Sequence, residues 1–311
     1  MNAPPVFVIG ISQRSGTNFL ASLLRCHPDL SGPAAPLQED MLLRHADLVQ
    51  AYVTATGREW PRDWGDSTDA QRALLAGLGQ GILGFLNQWA GGRAVTKSPF
   101  TDNLELYPML FGEAPLVILV RDGRSVVESL IKGFGAFEDE AIRQWRRGAR
   151  HILAFRDRHP ESGGNPRYTI VRYEDLVSDL ESGMTKVLAA CDLDPATFDW
   201  ERARSLPLLG SSFAAQGTQG ASVSWEPQPR PDGFDPEARF EHWTAGRRAR
   251  FEWLAGDEQR ALGYRSEASS GSLARQRILD AVWPLRISAR RAKGTAVVRG
   301  GALKRRISAD E

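Results

Sequence analysis

A turn of small and basic residues separates a predicted strand from a predicted helix in "VFVIGISQRSGTNFL". The apolar run Val6–Gly10 is typical of a buried strand, and a helix is predicted to begin near Thr17. Ser15 and Gly16 let backbone N–H groups approach an anion closely, and Gly16 tolerates a positive φ. The helix N-terminus adds about half a positive charge at the same point. The stretch therefore predicts an anion-binding loop, with Arg14 and the hydroxyls of Ser15 and Thr17 as further donors.

The loop departs from the phosphate loop of ATP- and GTP-binding proteins at two positions. That loop, GxxxxGK[ST], has lysine where this chain has Gly16 and glycine where it has Ser15. Because the lysine neutralises the β- and γ-phosphates, its absence favours an anion with less charge than a triphosphate. Two alternatives stay open: a P-loop kinase or NTPase with a degenerate loop, and a helix merely capped by Ser or Thr after a tight turn.

A second group of donors follows the apolar run in "LVILVRDGRSVVES". Arg121 leaves the sheet at its carboxyl edge, where open α/β sheets bind ligands. Ser125 and Glu128 fit a capping box, which predicts a helix start and places Ser129 one turn in. Arg121 and Ser129 would then converge on one anion. In the alternative, Arg121 pairs with Asp122 or Glu128 and Ser129 faces solvent.

The same turn contains the one candidate for a Mg²⁺ ligand. P-loop enzymes hold Mg²⁺ with the loop Ser/Thr and an acidic residue at a strand end, which here is Asp122. Its position in a turn beside Arg121 suits helix capping better. The sequence therefore predicts metal-independent chemistry.

Alternating strands and helices must position these groups. Apolar β-rich runs cover residues 6–10, 93–97, 116–121 and 168–173, and helical patterns cover 18–25, 41–56, 69–89, 125–132 and 138–159. Nearly continuous apolar strands joined by long helical connections form a parallel sheet with helices on both faces. The predicted fold is α/β, a P-loop-like three-layer domain with a central parallel sheet flanked by helices.

The predicted organisation is one domain over residues 1–264 and a basic tail over 265–311, partly helical or disordered. The domain includes a long loop at about 205–236, rich in Gly, Ser, Gln and Pro. From Ser272 onward there are ten Lys/Arg against three Asp/Glu, on a chain of net charge +1. An anionic partner such as a membrane would explain the tail, and a solvated terminus is the alternative. "LARQRILDAVWPLRISARRA" has the pattern of an interfacial helix, interrupted by Pro284.

Composition indicates an ordinary globular chain, with 42% hydrophobic and 25% charged residues. No apolar run approaches the roughly 20 residues that span a bilayer, and "VFVIG" lacks the flanks of a signal peptide. Cys26 and Cys191 form neither a disulfide framework nor a CxxC pair. A cytoplasmic location is expected.

Five short motifs occur in a fixed order: "RSGT", "HPD" ten residues further on, "TKSPF", "VRDGRSVVES" and "RYEDLV". Together they resemble the sulfotransferases that use 3′-phosphoadenosine 5′-phosphosulfate (PAPS), in particular the tyrosylprotein sulfotransferase branch and its bacterial relatives. The resemblance covers roughly residues 6–180. It implies transfer of a sulfuryl group from PAPS to an acceptor hydroxyl without a metal. A non-catalytic nucleotide-binding module is a further alternative.

The resemblance also implies which residues bind the cosubstrate. The residues that would cradle the 5′-phosphosulfate are Arg14, Ser15, Gly16, Thr17 and Asn18. Arg121 and Ser129 would bind the 3′-phosphate, and Tyr173 would be a further contact. In the long loop, Ser212 matches a serine near the cosubstrate, and Ser211 is interchangeable with it. Relatives carry an arginine four positions after the phosphate-binding serine, where this chain has Gly133 next to Lys132.

Lys97, Glu39 and Arg14 are the catalytic candidates. By the resemblance, Lys97 stabilises charge on the bridging oxygen as the sulfuryl group departs. Glu39 would be the base that takes the acceptor's proton. Asp40 is close behind, and an acidic first helical turn is the structural alternative.

Histidine is the other type of base, because related families use it. His27 and His45 are the candidates here, and His27 is assigned a structural role in the "HP" element. The expected acceptor is a carbohydrate, lipid, natural product or tyrosine that bears a hydroxyl, and no nucleic-acid partner is expected.

Overall fold

The protein was analysed as a computed structural model that describes residues 3–32, 37–61, 66–112, 114–160, 166–207, 238–266 and 272–288. The chain divides into two compact units. The first comprises Met1–His242 with Leu254–Ser266, and the second comprises Trp243–Trp253 with Glu267–Glu311. The domain boundary predicted at residue 264 stays a prediction.

The first unit contains a five-stranded parallel sheet of order β2-β3-β1-β4-β5. Its strands are β1 (Val6–Gly10), β2 (Leu30–Ser31), β3 (Arg93–Ser98), β4 (Leu116–Val120) and β5 (Tyr168–Arg172). The predicted fold class is confirmed, and so are the four predicted strands. The prediction missed β2, because two residues cannot show a strand periodicity.

Helices cover both faces of this sheet. The α-helices are α1 (Thr17–Leu24), α2 (Ala46–Glu59), α3 (Thr68–Ala90), α4 (Tyr107–Phe111), α5 (Gly123–Phe134), α6 (Glu138–Arg158), α7 (Tyr173–Ser178), α8 (Leu180–Ala190), α9 (Trp200–Ser205) and α10 (Ala245–Ala261). The 3-10 helices are Leu43–His45, Leu104–Leu106, Pro195–Thr197 and Ala238–Phe240. None of the helices in the described ranges is both long and apolar enough to cross a membrane.

The alternation of side chains along β1 explains why both faces are covered. Val6 and Val8 join a buried cluster with residues of α1 and α8. Phe7 points to the other face, where its ring stacks on Phe111 and meets Tyr107 edge-on. Because every residue of β1 is buried, this strand is the axis of the core, and the loop that follows it is held at the carboxyl edge of the sheet.

Helix α6 passes directly over the start of that loop. A Cβ atom on Gly148 would lie 1.8 Å from the carbonyl oxygen of Ile11, so only glycine allows the two backbones to come this close. This contact holds the loop after β1 against a long, buried helix.

The predicted start of α5 is wrong. The helix begins at Gly123, and its N-cap is Asp122, whose carboxylate accepts a hydrogen bond from the backbone N–H of Arg124. Ser125 and Glu128 therefore do not form the predicted capping box. The capping role that the sequence indicated for Asp122 is confirmed, since Asp122 stands one residue before the first free N–H groups of the helix.

In the second unit, the first part of α10 packs on helix α11 (273–288). The buried guanidinium of Arg250 donates to Asp280 Oδ1 at 2.8 Å, and Trp253 Nε1 donates to Asp280 Oδ2 at 2.8 Å. Helix α11 continues through Pro284, so the predicted interruption at this residue is wrong.

Candidate active site

The loop after β1 has the conformation that its residue types predicted. Gly16 is the N-cap of α1 with φ 102°. A Cβ on Gly16 would lie 2.5 Å from Cδ2 of Tyr173, so both the backbone and the neighbouring ring require glycine. No side chain caps the start of α1 within the described residues. The alternative of a helix capped by Ser or Thr is therefore wrong, and the N-terminus of α1 points its N–H groups to the loop.

Ser15 is fully buried, and its Oγ has no hydrogen-bond partner among the residues that the structure describes. A buried hydroxyl left in this way costs about 1–3 kcal/mol unless something else binds it. Next to it, Arg14 has φ 72°, a left-handed conformation that costs a non-glycine residue about 1–2 kcal/mol. Strain and unsatisfied polar groups of this kind concentrate at functional sites.

The side chain of Arg14 reaches α5. Arg14 Nε donates a 3.0 Å hydrogen bond to Ser129 Oγ, so the loop and the second predicted donor group meet. Arg121, at the end of β4, donates from Nη1 to the carbonyl oxygen of Arg14 at 3.1 Å. The predicted donors thus form one continuous group and not two separate ones.

Arg121 is buried, and its guanidinium lies 4.2 Å from the ring centroid of Tyr173. Its Nε and Nη2 have no hydrogen-bond partner in the described part of the chain. The alternative in which Arg121 pairs with a neighbouring carboxylate is wrong, because Asp122 pairs with Arg124 at 2.6 Å and Glu128 binds other residues. Two guanidinium nitrogens, which carry three N–H groups, are therefore left for an external acceptor.

Electrostatics point the same way. Burial, and then the positive charge of Arg121, lower the pKa of Arg14 to about 10, against a smaller opposite effect of Tyr173. Two guanidinium groups held this close repel each other in the absence of an anion. The arrangement is therefore suited to a buried anion that accepts several charge-assisted hydrogen bonds.

A buried polar network holds Arg121 beside Tyr173. Glu174 accepts from the backbone N–H of Asp122 at 3.0 Å and from the Tyr264 hydroxyl at 2.9 Å. Gln259 joins it, donating to Asp122 Oδ2 at 2.9 Å and accepting from the N–H of Gly123 at 3.1 Å. Burial raises the pKa of Glu174. Sequence reasoning missed Gln259 and Tyr264, since neither lies in a motif.

The structure also brings the two catalytic candidates together. Lys97 Nζ lies 3.1 Å from Glu39 Oε1. The lysine side chain is 10% exposed and the glutamate 36%, so the pair opens to solvent on the carboxylate side. Burial lowers the pKa of Lys97, and the charge of Glu39 opposes this shift. Lys97 is level with Val8 of β1, which places the pair at the same sheet edge as the loop.

Asp40 has a different environment from Glu39. It is buried, and it accepts hydrogen bonds from the hydroxyl of Thr96 and, at 2.8 Å, from the backbone N–H of Leu42. Its own N–H donates to the carbonyl oxygen of Lys97 at 3.2 Å. Burial raises the pKa of this carboxyl group. Asp40 thus ties the segment to β3 and holds Glu39 beside Lys97.

The two histidines lie in different settings. His27 is buried, with Nε2 2.9 Å from Thr197 Oγ1, and Nδ1 accepts from the backbone N–H of Asp29 at 3.2 Å. These bonds fit the structural role expected for it. His45 is exposed in the 3-10 helix Leu43–His45. Whether a carboxylate or a histidine is the base stays a prediction.

Three further predicted positions need comment. Lys132 Nζ forms a salt bridge with Glu128 Oε1 at 3.0 Å, one turn earlier in α5. Ser211 and Ser212 lie outside the described residues. Within those residues, no group of three or more His, Cys, Asp or Glu side chains is placed to hold a metal ion.

A model described as "Sulfotransferase family" matches residues 4–197. The match covers more than half of the chain and contains Arg14, Ser15, Lys97, Arg121 and Ser129. The chain belongs to the sulfotransferase family. The resemblance that its motifs indicated is thereby confirmed.

Two curated relatives of this chain are named for their action on tyrosine. It is 26% identical over 195 residues to a protein-tyrosine sulfotransferase of Drosophila melanogaster, an alignment that covers 61% of this chain and 38% of the relative. It is 25% identical over 203 residues to protein-tyrosine sulfotransferase A of Caenorhabditis elegans, covering 61% of this chain and 50% of the relative. The chain thus spans half or less of the length of these relatives.

Among solved structures, this chain resembles the sulfotransferase domain from the curacin biosynthetic pathway. The TM-score is 0.50 at 19% sequence identity, and the alignment covers 86% of this chain and 100% of that domain. At this identity the likeness shows the fold.

Proposed function

We propose that the protein transfers a sulfuryl group from PAPS to the hydroxyl of an acceptor and leaves 3′-phosphoadenosine 5′-phosphate (PAP). The observation that supports this most directly is the set of buried donors around the loop. Arg121 Nε and Nη2 and Ser15 Oγ have no partner within the described chain, beside a helix N-terminus that no side chain caps. These groups fit a multiply charged anion, and membership of the sulfotransferase family makes PAPS the natural one.

In this proposal the donors divide between the two charged ends of PAPS. Arg14 to Asn18 hold the 5′-phosphosulfate, and Arg121 and Ser129 hold the 3′-phosphate, with Tyr173 beneath Arg121. The hydrogen bond from Arg14 to Ser129 connects the two parts. No donor in this set requires a metal ion to act, because the charges that neutralise the anion are guanidinium groups.

PAPS supplies a sulfuryl group whose bond to a bridging phosphate oxygen breaks during transfer. Lys97 stabilises the negative charge that develops on that oxygen. Glu39 accepts the proton of the acceptor hydroxyl as its oxygen bonds to sulfur. The 3.1 Å contact of Lys97 with Glu39 supports these roles, since it puts the cation and the base at one point. Asp40, through its hydrogen bonds to Thr96 and Lys97 of β3, holds the segment that carries Glu39.

The P-loop kinase alternative is not favoured, because Gly16 stands where a triphosphate site has its lysine. A non-catalytic module would also bind the nucleotide, so only a measurement of turnover distinguishes it from an enzyme. Isothermal titration calorimetry with PAP in the presence of EDTA tests binding, and we expect tight binding without Mg²⁺. No binding at millimolar PAP would refute the proposal.

Lys97→Ala separates the enzyme from the binding module. We expect the variant to bind PAP within about threefold of wild type and to lose about 10²–10³ in kcat, the cost typical of one lost charge-stabilising donor. Lys186→Ala, in α8, is a matched control, and we expect it to leave the affinity for PAP and kcat unchanged. Equal turnover of Lys97→Ala and wild type would contradict the catalytic role.

The acceptor is proposed as a class only: a hydroxyl-bearing carbohydrate, lipid, natural product or tyrosine. Tyrosine is included because two relatives are named for it. Incubation with sulfur-labelled PAPS and fractionated host extract, followed by identification of the labelled product, tests this class. A cytoplasmic location is likewise proposed, and fractionation of the host cells tests it.

Helix α11 supports peripheral contact with an anionic membrane. Leu273, Ile278 and Leu285 are more than 60% exposed on this helix, and Arg275, Arg277 and Arg286 are exposed beside them. Apolar and basic side chains together suit an anionic lipid surface. Full-length protein should float with vesicles containing phosphatidylserine but not with pure phosphatidylcholine, and Ile278→Glu with Leu285→Glu should abolish flotation. Flotation of that variant equal to wild type would contradict the proposal.

A further inference from the structure

The segment that follows the long loop is attached to α5 by Phe240 and His242, which come just after Arg239. His242 Nε2 lies 3.1 Å from Glu128 Oε1. The Phe240 ring lies 4.1 Å from the guanidinium carbon of Arg124, measured to the ring centroid. Both partners on α5 are buried. The 3-10 helix Ala238–Phe240 is therefore held along the first two turns of α5, the part of that helix that begins beside Arg121 and carries Ser129.

Arg239 consequently joins the positive charges of the anion site. Burial lowers its pKa to about 10, and the next largest causes are the positive charges of Arg121 and Arg14. Because Coulomb repulsion falls with distance, this influence agrees with the packing of the Ala238–Phe240 segment along the start of α5, beside Arg121. The negative charge of Glu128 offsets part of this repulsion, and an anion bound among the guanidinium groups offsets more of it.

The α5 residues that the family resemblance offered for this role do not serve it. The arginine of the relatives is replaced by Gly133, which has no side chain. Its neighbour Lys132 is 54% exposed, and its ammonium is bonded to Glu128 at 3.0 Å. A basic residue is therefore missing from α5 at the place where the resemblance requires one.

We propose that Arg239 supplies this missing group and binds the phosphate that Arg121 and Ser129 hold. In this proposal, His242 and Phe240 are positioning residues that keep Arg239 at the site through Glu128 and Arg124. The anion site is thus assembled from residues on both sides of the long loop. The identity of the phosphate, the 3′-phosphate of PAPS, rests on the proposed function.

Two nucleotides that differ only in the 3′-phosphate test the assignment. PAP and adenosine 5′-phosphate are titrated by calorimetry into full-length wild type and Arg239→Gln. We expect the variant to bind PAP about ten- to a hundredfold more weakly, the loss of one charge-assisted contact, and to bind adenosine 5′-phosphate within about twofold. Arg239→Lys should recover part of the loss. Equal weakening of both nucleotides, or of neither, would overturn the proposal.

The matched control is Lys132→Ala, which removes the other basic candidate. We expect its affinity for PAP to stay within about twofold of wild type, because Glu128 already holds that ammonium. A large loss in Lys132→Ala with none in Arg239→Gln would assign the role to Lys132 instead.

A readout without nucleotide separates this inference from the proposed function. Inorganic sulfate should raise the melting temperature of wild type more than that of Arg239→Gln, because the anion relieves repulsion among the three guanidinium groups. If wild type binds neither nucleotide, the PAPS proposal fails, and the sulfate shift still tests Arg239. Identical sulfate shifts in the two proteins would refute an anion-binding role.

Discussion

Replacement of Arg121 by methionine should weaken PAP binding severely and leave the protein folded. The side chain is buried, and two of its guanidinium nitrogens have no partner within the described chain. Methionine has a similar length and no charge, so it fills the space without leaving buried N–H groups unsatisfied. The effect on binding and the effect on stability therefore differ in size.

The contacts of Arg121 give the magnitudes. The variant loses one hydrogen bond from a charged group, to the carbonyl of Arg14, worth about 1.5–3 kcal/mol. It also loses a cation–π contact with Tyr173 worth about 0.5–2 kcal/mol. It gains about 1–3 kcal/mol for each of the two unsatisfied nitrogens removed. These changes nearly cancel, so the free energy of unfolding should change by less than about 2 kcal/mol.

The binding loss has no such compensation. Two charge-assisted hydrogen bonds to the anion disappear, worth about 1.5–3 kcal/mol each, which corresponds to a loss of affinity of about 10²- to 10⁴-fold. Calorimetric titration with PAP in EDTA measures the affinity, and urea unfolding of the same samples measures the stability.

Arg172→Met is the matched control, because Arg172 ends the neighbouring strand and also lies over a tyrosine ring, that of Tyr264. It should bind PAP within about threefold of wild type. A loss of more than about 4 kcal/mol in the unfolding free energy of Arg121→Met would refute the reasoning. So would retention of wild-type affinity, since the guanidinium would then be no part of the anion site.

Three further variants test the environment of the site. Gly16→Ala should weaken PAP binding at least tenfold by calorimetry, because its Cβ would lie 2.5 Å from the Tyr173 ring at φ 102°. Gly148→Ala should lower the unfolding free energy in urea by about 1–3 kcal/mol or more, because its Cβ would lie 1.8 Å from the Ile11 carbonyl. Burial raises the pKa of Asp40, so the folded protein binds its proton more tightly and wild type loses stability as pH rises above about 3.9. Asp40→Asn should lack this loss in a pH series of urea titrations.

Each of these tests has a clear negative outcome. Gly77→Ala in α3, where an added Cβ has nothing within 4 Å, should be neutral or stabilise by up to about 1 kcal/mol. If Gly148→Ala behaves like Gly77→Ala, the close approach of α6 to the loop is not rigid. Parallel pH profiles for wild type and Asp40→Asn would show that this carboxyl group is not the cause of the pH dependence. Unchanged affinity in Gly16→Ala would remove the loop from the binding site.

The local features of the site were predictable from the sequence. Val6–Gly10 is apolar at every position but the last, and such a run is typical of a strand that is covered on both faces. The turn that follows needs a residue with positive φ, and Gly16 supplies it. Lys97 was assigned by the resemblance of "TKSPF" to the family's motif, and its place near the end of a parallel strand predicted the sheet edge on which it lies. Each of these features depends on residues within one strand or turn.

What the sequence by itself determined, then, is the parallel α/β sheet, the anion-binding loop and the edge at which the donors gather. Tertiary structure alone decided which charges meet. It paired the carboxylate of Glu128 with His242 instead of a capping box, and it placed the ring of Phe240 over Arg124 from beyond the long loop. The physical reason is that the interaction between two charged side chains depends on the distance between them. Residues more than a hundred positions apart become neighbours only after the helices have packed on the sheet.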